Sequence, residues 1–143
     1  TSIQQRDAQS VLAGIDELLP ALRERAQATE DLRRLPDENI KALDDVGFFK
    51  LIQPAQWGGL QCDPTVFYEA VRRLASACGS TGWVAGILGI HNWHLAQFDQ
   101  AAQDEVWGED PSVRISSSYQ VSPVFFPRKL STVLMKPATP AAI

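Results

Sequence analysis

From Trp83 to about Phe98 the chain is apolar on nearly every side of a helical wheel. Such a helix must be enclosed on several faces. The rest of the chain therefore has to supply helices that surround it. Its longest apolar run, Trp83 to Ile90, is far too short to span a bilayer. Gly86 and Gly89 lie three residues apart and predict close approach of a neighbouring element. Just upstream, Cys78-Gly79-Ser80-Thr81-Gly82-Trp83-Val84 sets small residues before an indole. That pattern suits tight packing around a buried tryptophan. It equally suits a ring offered to a planar ligand.

The flanking segments read as helices. Ser2 and Gln5 have capping-box spacing and open one, followed by Val11, Leu12, Ile15, Leu18, Leu19 and Leu22 at helical intervals. Pro20 is expected to kink that helix or start a second segment. Leu35-Pro36-Asp37-Glu38 starts another, with Ile40, Leu43 and Val46 as its buried stripe and Gly47 as its stop. Phe48 to Ile52 reads as a short extended run, and Trp57-Gly58-Gly59-Leu60 as a loop. Asp63-Pro64 opens a helix through Val66, Phe67, Ala70, Val71 and Leu74 that Gly79 should close. Gln100 to Val106 is a short amphipathic helix, and Val113 to Tyr119 reads as a first strand. Gln120 to Ile143 has four prolines, no acid and no glycine, a composition that opposes both helix and hairpin. An irregular tail is expected there.

With 143 residues, 45% of them hydrophobic, the chain is long enough for one domain with a real core. A formal charge of −4 argues against a nucleic-acid surface. Cys62 and Cys78 are too few and too far apart for a disulfide framework and read as buried small apolar residues. The first residues lack a basic start and an apolar run, so the expectation is a cytoplasmic protein.

Few residues are candidates for chemistry. His91 and His94 fall on one helical face. They could be backbone-bonded imidazoles, two metal ligands or a ligand-facing pair, although no carboxylate or cysteine lies near them in sequence. Ser116, Ser117 and Ser118 could donate to an anion or a carbonyl, or simply form a strand edge. Asp44-Asp45, Asp104-Glu105, Arg33-Arg34 and Arg72-Arg73 read as solvated faces.

Taken together, Leu35-Pro36-Asp37-Glu38, Val46-Gly47-Phe48-Phe49, Pro54-Ala55-Gln56-Trp57-Gly58-Gly59, Arg72-Arg73-Leu74-Ala75, Gly79-Ser80-Thr81-Gly82-Trp83 and His91-Asn92-Trp93-His94 resemble the N-terminal helical domain of the acyl-CoA dehydrogenase fold. Within that fold they resemble the flavin-dependent monooxygenase branch, in particular the oxygenase subunits that hydroxylate a phenolic steroid during steroid breakdown. The resemblance runs from Thr1 to Tyr119. It implies an all-α fold over residues 1–119, with residues 120–143 a divergent tail.

The resemblance further implies a two-component system. A separate flavin reductase supplies reduced FMN, and the oxygenase, a homotetramer in this branch, converts a phenol to a catechol. Trp83 falls at the position of a flavin contact, and His91 and Ser117 where related members line the substrate and flavin pocket. Family members continue into a β domain and a C-terminal helical bundle, which supply most flavin contacts and the base. This sequence leaves their pattern at Gln120, which would suit a truncated product inactive by itself. The rival implications are an acyl-CoA dehydrogenase domain and a non-catalytic helical fragment.

Overall fold

The computed structural model describes residues 7–117. Six α-helices and two short 3₁₀ turns make up the ordered elements, and no strand occurs among the described residues. The helices are α1 (Ala8–Glu24), α2 (Ala26–Leu32), α3 (Asp37–Val46), α4 (Pro64–Ala77), α5 (Gly79–Leu95) and α6 (Gln100–Trp107). The all-α expectation holds. The expected capping pair at Ser2 and Gln5, and the tail from Gln120, lie outside the described residues.

Helix α1 starts at Asp7, whose carboxylate accepts from the Ser10 backbone at 2.7 Å while the Ser10 hydroxyl accepts from the Asp7 amide at 3.2 Å. These reciprocal bonds satisfy two otherwise orphaned groups at a helix start. Val11, Leu12, Ile15 and Leu22 form its buried face. Pro20 does not break the helix; the break comes at Arg25, between α1 and α2. Pro20 and Asp16, whose carbonyl loses its partner, are both exposed, so water can take the place of the missing amide.

Helix α3 begins after Pro36 with Asp37 and Glu38 in its first turn and ends at Gly47 in the left-handed region (φ 87°), as the sequence indicates. Its fully buried residues are Asn39 and Leu43, with Ile40 and Val46 only partly covered. Phe48–Lys50 is a 3₁₀ turn rather than an extended run. The αL glycine turns the chain inward, and both phenylalanines then enter the core. The backbone amides of Leu60 and Cys62 return to the carbonyls of Lys50 and Leu51 at 2.7 and 2.8 Å, closing the intervening loop.

Asp63 caps α4 through the Thr65 amide at 2.8 Å. The helix ends at Cys78, which is extended (φ −150°), and Gly79 belongs to the next helix. One extended residue therefore turns α4 into α5. Methyl groups built on Gly82, Gly86 and Gly89 would point at Ala75, Val71 and Phe67 respectively. Those pairings run in opposite directions, so α4 and α5 form an antiparallel hairpin. Gly82 and Gly89 are the points of closest approach; Gly86, one of the two expected, has ordinary room. Phe48 sits where the hairpin meets α3, with ring centroids 5.2 Å from Phe49 and 5.5 Å from Phe67.

A second, smaller cluster of Leu95, Trp107 and Ile115 lies at the far end of α5. Val113–Ser117 forms no strand, because no described residue pairs with its backbone as a ladder would require. Cys78 is buried, but Cys62 is only partly so, and that burial raises its thiol pKa. Asp44 and Arg73 are not idle surface charges. Arg73 bridges Asp16 on α1 at 2.7 Å and Glu69 on its own helix at 2.8 Å, and Asp44 pairs with Arg114.

Candidate functional site

Two of the three residues singled out by the sequence come together. His91 lies in the last turns of α5 and is 5% exposed. Its Nδ1 lies 2.6 Å from the Ile87 carbonyl oxygen one turn earlier, and its Nε2 lies 2.6 Å from the Ser117 hydroxyl. A carbonyl oxygen only accepts, so Nδ1 must carry the proton. In the neutral ring Nε2 is then a bare acceptor, and Ser117 must donate to it. Among the described residues nothing donates to the serine oxygen, and Ser117 is exposed.

His94, on the same face, stands edge-on to His91 with ring centroids 5.3 Å apart. Burial, and secondarily the nearby His91, push its pKa below the usual histidine range. Among the described residues, no group of three or more potential metal ligands is assembled around the two rings.

Trp83 lies apart from this dyad. It is eight residues earlier on α5, about 12 Å along the helix axis. It is 73% exposed, the most open large apolar side chain described. The reading of a buried tryptophan is thereby overturned. The glycine-rich start of α5 lets the helix sit against α4, and this turns the indole outward. Trp83 borders an open groove of about 600 Å³, shared with Arg33, Arg34, Leu35, Ser80 and Val84. On the groove wall Ser80 donates to Glu30 at 3.1 Å, linking α5 to α2.

Two buried polar residues that sequence reasoning passed over cross-link elements, Asn92 beside His91 on α5 and Gln103 on α6. Asn92 is 6% exposed and donates from Nδ2 to the Phe49 carbonyl at 2.7 Å. Gln103 is equally buried; its carbonyl oxygen accepts from Trp57 Nε1 and Gln56 Nε2, both at 3.0 Å. The available signal for Asn92 was its place in the polar His91-Asn92-Trp93-His94 interruption of an apolar helix.

Comparison with known proteins defines the class of this helical domain. Residues 9–110 match the family model for the acyl-CoA dehydrogenase N-terminal domain, so the chain belongs to the acyl-CoA dehydrogenase family. More particularly, it is 81% identical over 119 residues to the flavin-dependent monooxygenase oxygenase subunit HsaA of Mycobacterium tuberculosis, covering 83% of this chain and 30% of the relative. The crystal structure of the M. tuberculosis HsaA monooxygenase superimposes with a TM-score of 0.78, covering 80% of this chain and 31% of that one.

Identity is 39% over 109 residues to the oxygenase component of p-hydroxyphenylacetate 3-hydroxylase from Acinetobacter baumannii, covering 76% of this chain and 26% of that protein. XiaF from a Streptomyces species, solved with FADH2 and glycerol, is 28% identical with a TM-score of 0.68, covering 75% of this chain and 27% of XiaF. The chain thus spans about 30% of the length of the HsaA relatives it matches.

Proposed function

We propose that this chain is the N-terminal domain of the oxygenase component of a two-component flavin-dependent monooxygenase that converts a steroid-derived phenol to a catechol. The observation that carries the reading is the 2.6 Å hydrogen bond between Ser117 and His91. Because His91 donates its only ring proton to the Ile87 carbonyl, it draws the serine proton toward Nε2. The Ser117 oxygen is thereby a stronger acceptor for an incoming hydroxyl. A phenol bound there would donate to Oγ, and its proton would be drawn along the line Ser117 to His91. Withdrawing that proton raises electron density on the phenol oxygen and at the ring carbon ortho to it. Hydroxylation needs an electron-rich carbon at that position.

The residues present also fit a flavin. An indole left 73% exposed at the edge of a groove offers one face to a planar ring. Trp83 would hold the isoalloxazine, which FMN and FAD share. Reduced flavin, delivered by a separate reductase, supplies the electrons that activate dioxygen. The 12 Å offset between Trp83 and His91 is compatible with flavin and phenol lying along different stretches of α5. The homotetramer implied by the resemblance belongs to this same reading.

Titrating the protein with a phenolic steroid while following the His91 ring nitrogens tests the reading. Binding is expected to be weak, to move Nε2 in the wild-type protein and to leave it in place in Ser117→Ala. A phenol that binds with His91 unmoved sinks the assignment. For the flavin, this chain alone should bind FMN weakly and respond little to Trp83→Ala, whereas in a full-length oxygenase carrying these residues Trp83→Ala should remove about 1 kcal/mol of aromatic contact. That is roughly fivefold weaker FMN binding, read by fluorescence quenching. An unchanged affinity in the full-length oxygenase would displace Trp83 from the flavin site.

A further inference from the structure

Ser117 is held by a segment that has no helix or strand of its own. Residues 109–117 lack regular hydrogen bonding, yet the serine hydroxyl must meet His91 within 2.6 Å. The start of the segment is tied down at Pro111, whose carbonyl accepts from Gln53 at 2.8 Å and from Lys50 at 3.1 Å. Ile115 is buried with Leu95 and Trp107. Between these points lies Arg114. Its guanidinium pairs with Asp44 on α3 and sits 5.1 Å over the Phe49 ring.

Phe49 is the common element. Its ring lies under Arg114, and its carbonyl accepts from Asn92, the residue next to His91. One residue of the core therefore touches the supports of both members of the dyad. Arg114 and Ser117 are three residues apart, at most about 10 Å of extended chain. A fixed guanidinium at one end thus confines where the serine can lie.

We propose that Arg114, clamped between Asp44 and the Phe49 ring, is a positioning residue that holds Ser117 within hydrogen-bonding reach of His91. The inference rests on the dyad described under the proposed function. The planar guanidinium suits both contacts at once, pairing in its plane while stacking through its face. A lysine could keep the charge but not the stacked plane.

The test uses this chain, labelled with ¹⁵N in histidine, and reads the Nε2 resonance of His91. Ser117→Ala sets the reference displacement for a lost hydrogen bond. Arg114→Met and Asp44→Asn should each displace the resonance in the same direction by at least half that amount. Arg114→Lys should fall between them and wild type. Circular dichroism and the thermal midpoint report folding in each case; if Arg114→Met does not fold, Asp44→Asn decides. A folded Arg114→Met, or in its absence Asp44→Asn, with Nε2 at the wild-type position would overturn the proposal. If Ser117→Ala itself leaves Nε2 unmoved, the hydrogen bond is absent and both readings fall. A displaced Nε2 in the Arg114 variants, with no response of wild-type protein to phenol, would uphold the clamp and remove the phenol.

Discussion

Gly82 and Gly86 sit one turn apart on α5, yet only one of them has room for a methyl group. A Cβ at Gly82 would lie 2.6 Å from the Ala75 Cα, a backbone atom that cannot step aside. At Gly86 the nearest atom is a Val71 methyl at 3.4 Å, an ordinary contact. Gly82→Ala should therefore destabilise the protein by about 1–3 kcal/mol through overpacking. Gly86→Ala should gain roughly 0.5–1 kcal/mol from the lower entropy of the unfolded chain. Urea unfolding midpoints moving in opposite directions would bear this out; equal shifts would refute it.

His94 gives a second test at this scale. Its folded-state pKa lies below the ordinary 6.5, mainly because burial disfavours the charged ring. As the pH falls through 6.5 the unfolded chain therefore takes up the proton more readily, and stability is lost. His94→Gln should flatten the decline below pH 6.5 in a series of thermal midpoints. A variant that declines as steeply as wild type would remove His94 as its source.

Between elements, ion pairs add to the apolar contacts of the core. Arg73 ties α4 to α1 through Asp16, and Glu69 accepts from both Arg72 and Arg73 at 2.8 Å. These arginine hydrogen bonds hold the Glu69 carboxyl at about 2, against an ordinary 4.5. A depressed carboxylate pKa means stability that is present above 4.5 and lost as the pH falls toward 2. Glu69→Gln should accordingly lose less stability than wild type between pH 4.5 and 2. Acid titration followed by circular dichroism reads the difference, and parallel curves would count against the network.

Within α1, Pro20 is an imperfection that the fold tolerates on its wet side. Pro20→Ala supplies the missing amide and should raise stability by about 1 kcal/mol or more, within the roughly 3 kcal/mol that an interior proline costs. A lowered urea midpoint would show that the proline has become part of the packing.

For the molecule as a whole, the central helix α5 is left open at two tryptophans among the described residues. Gly82, Ala85, Leu88, Gly89 and Leu95 are buried, while Trp83 and Trp93 on the same helix are 73% and 40% exposed. Phe98, Tyr68 and Leu32 add further exposed apolar surface. A hydrophobic dye should therefore bind the native protein, and Trp83→Ser with Trp93→Ser should reduce the signal. No dye binding by the folded wild-type protein would contradict this.

Residue order specified α3, α4 and α6 and their ends, because these rest on local chemistry; it did not mark α2 as a separate helix, and α5 starts at Gly79 rather than Trp83. Asp63-Pro64 and Pro36-Asp37 open helices, and Gly47 closes one through a left-handed turn, whatever surrounds them. His91 and Ser117 were nameable through family resemblance, but their meeting across 26 positions was not, since no periodicity links a helix to an irregular segment. Three things came from tertiary structure: that Trp83 faces outward, that Phe48 enters the core through a tight turn, and that the exposed Asp44 pairs with Arg114. Each depends on which surface a neighbouring element covers, a non-local outcome of close packing around Gly82, Gly89 and Phe49 that residue order does not encode in any short window.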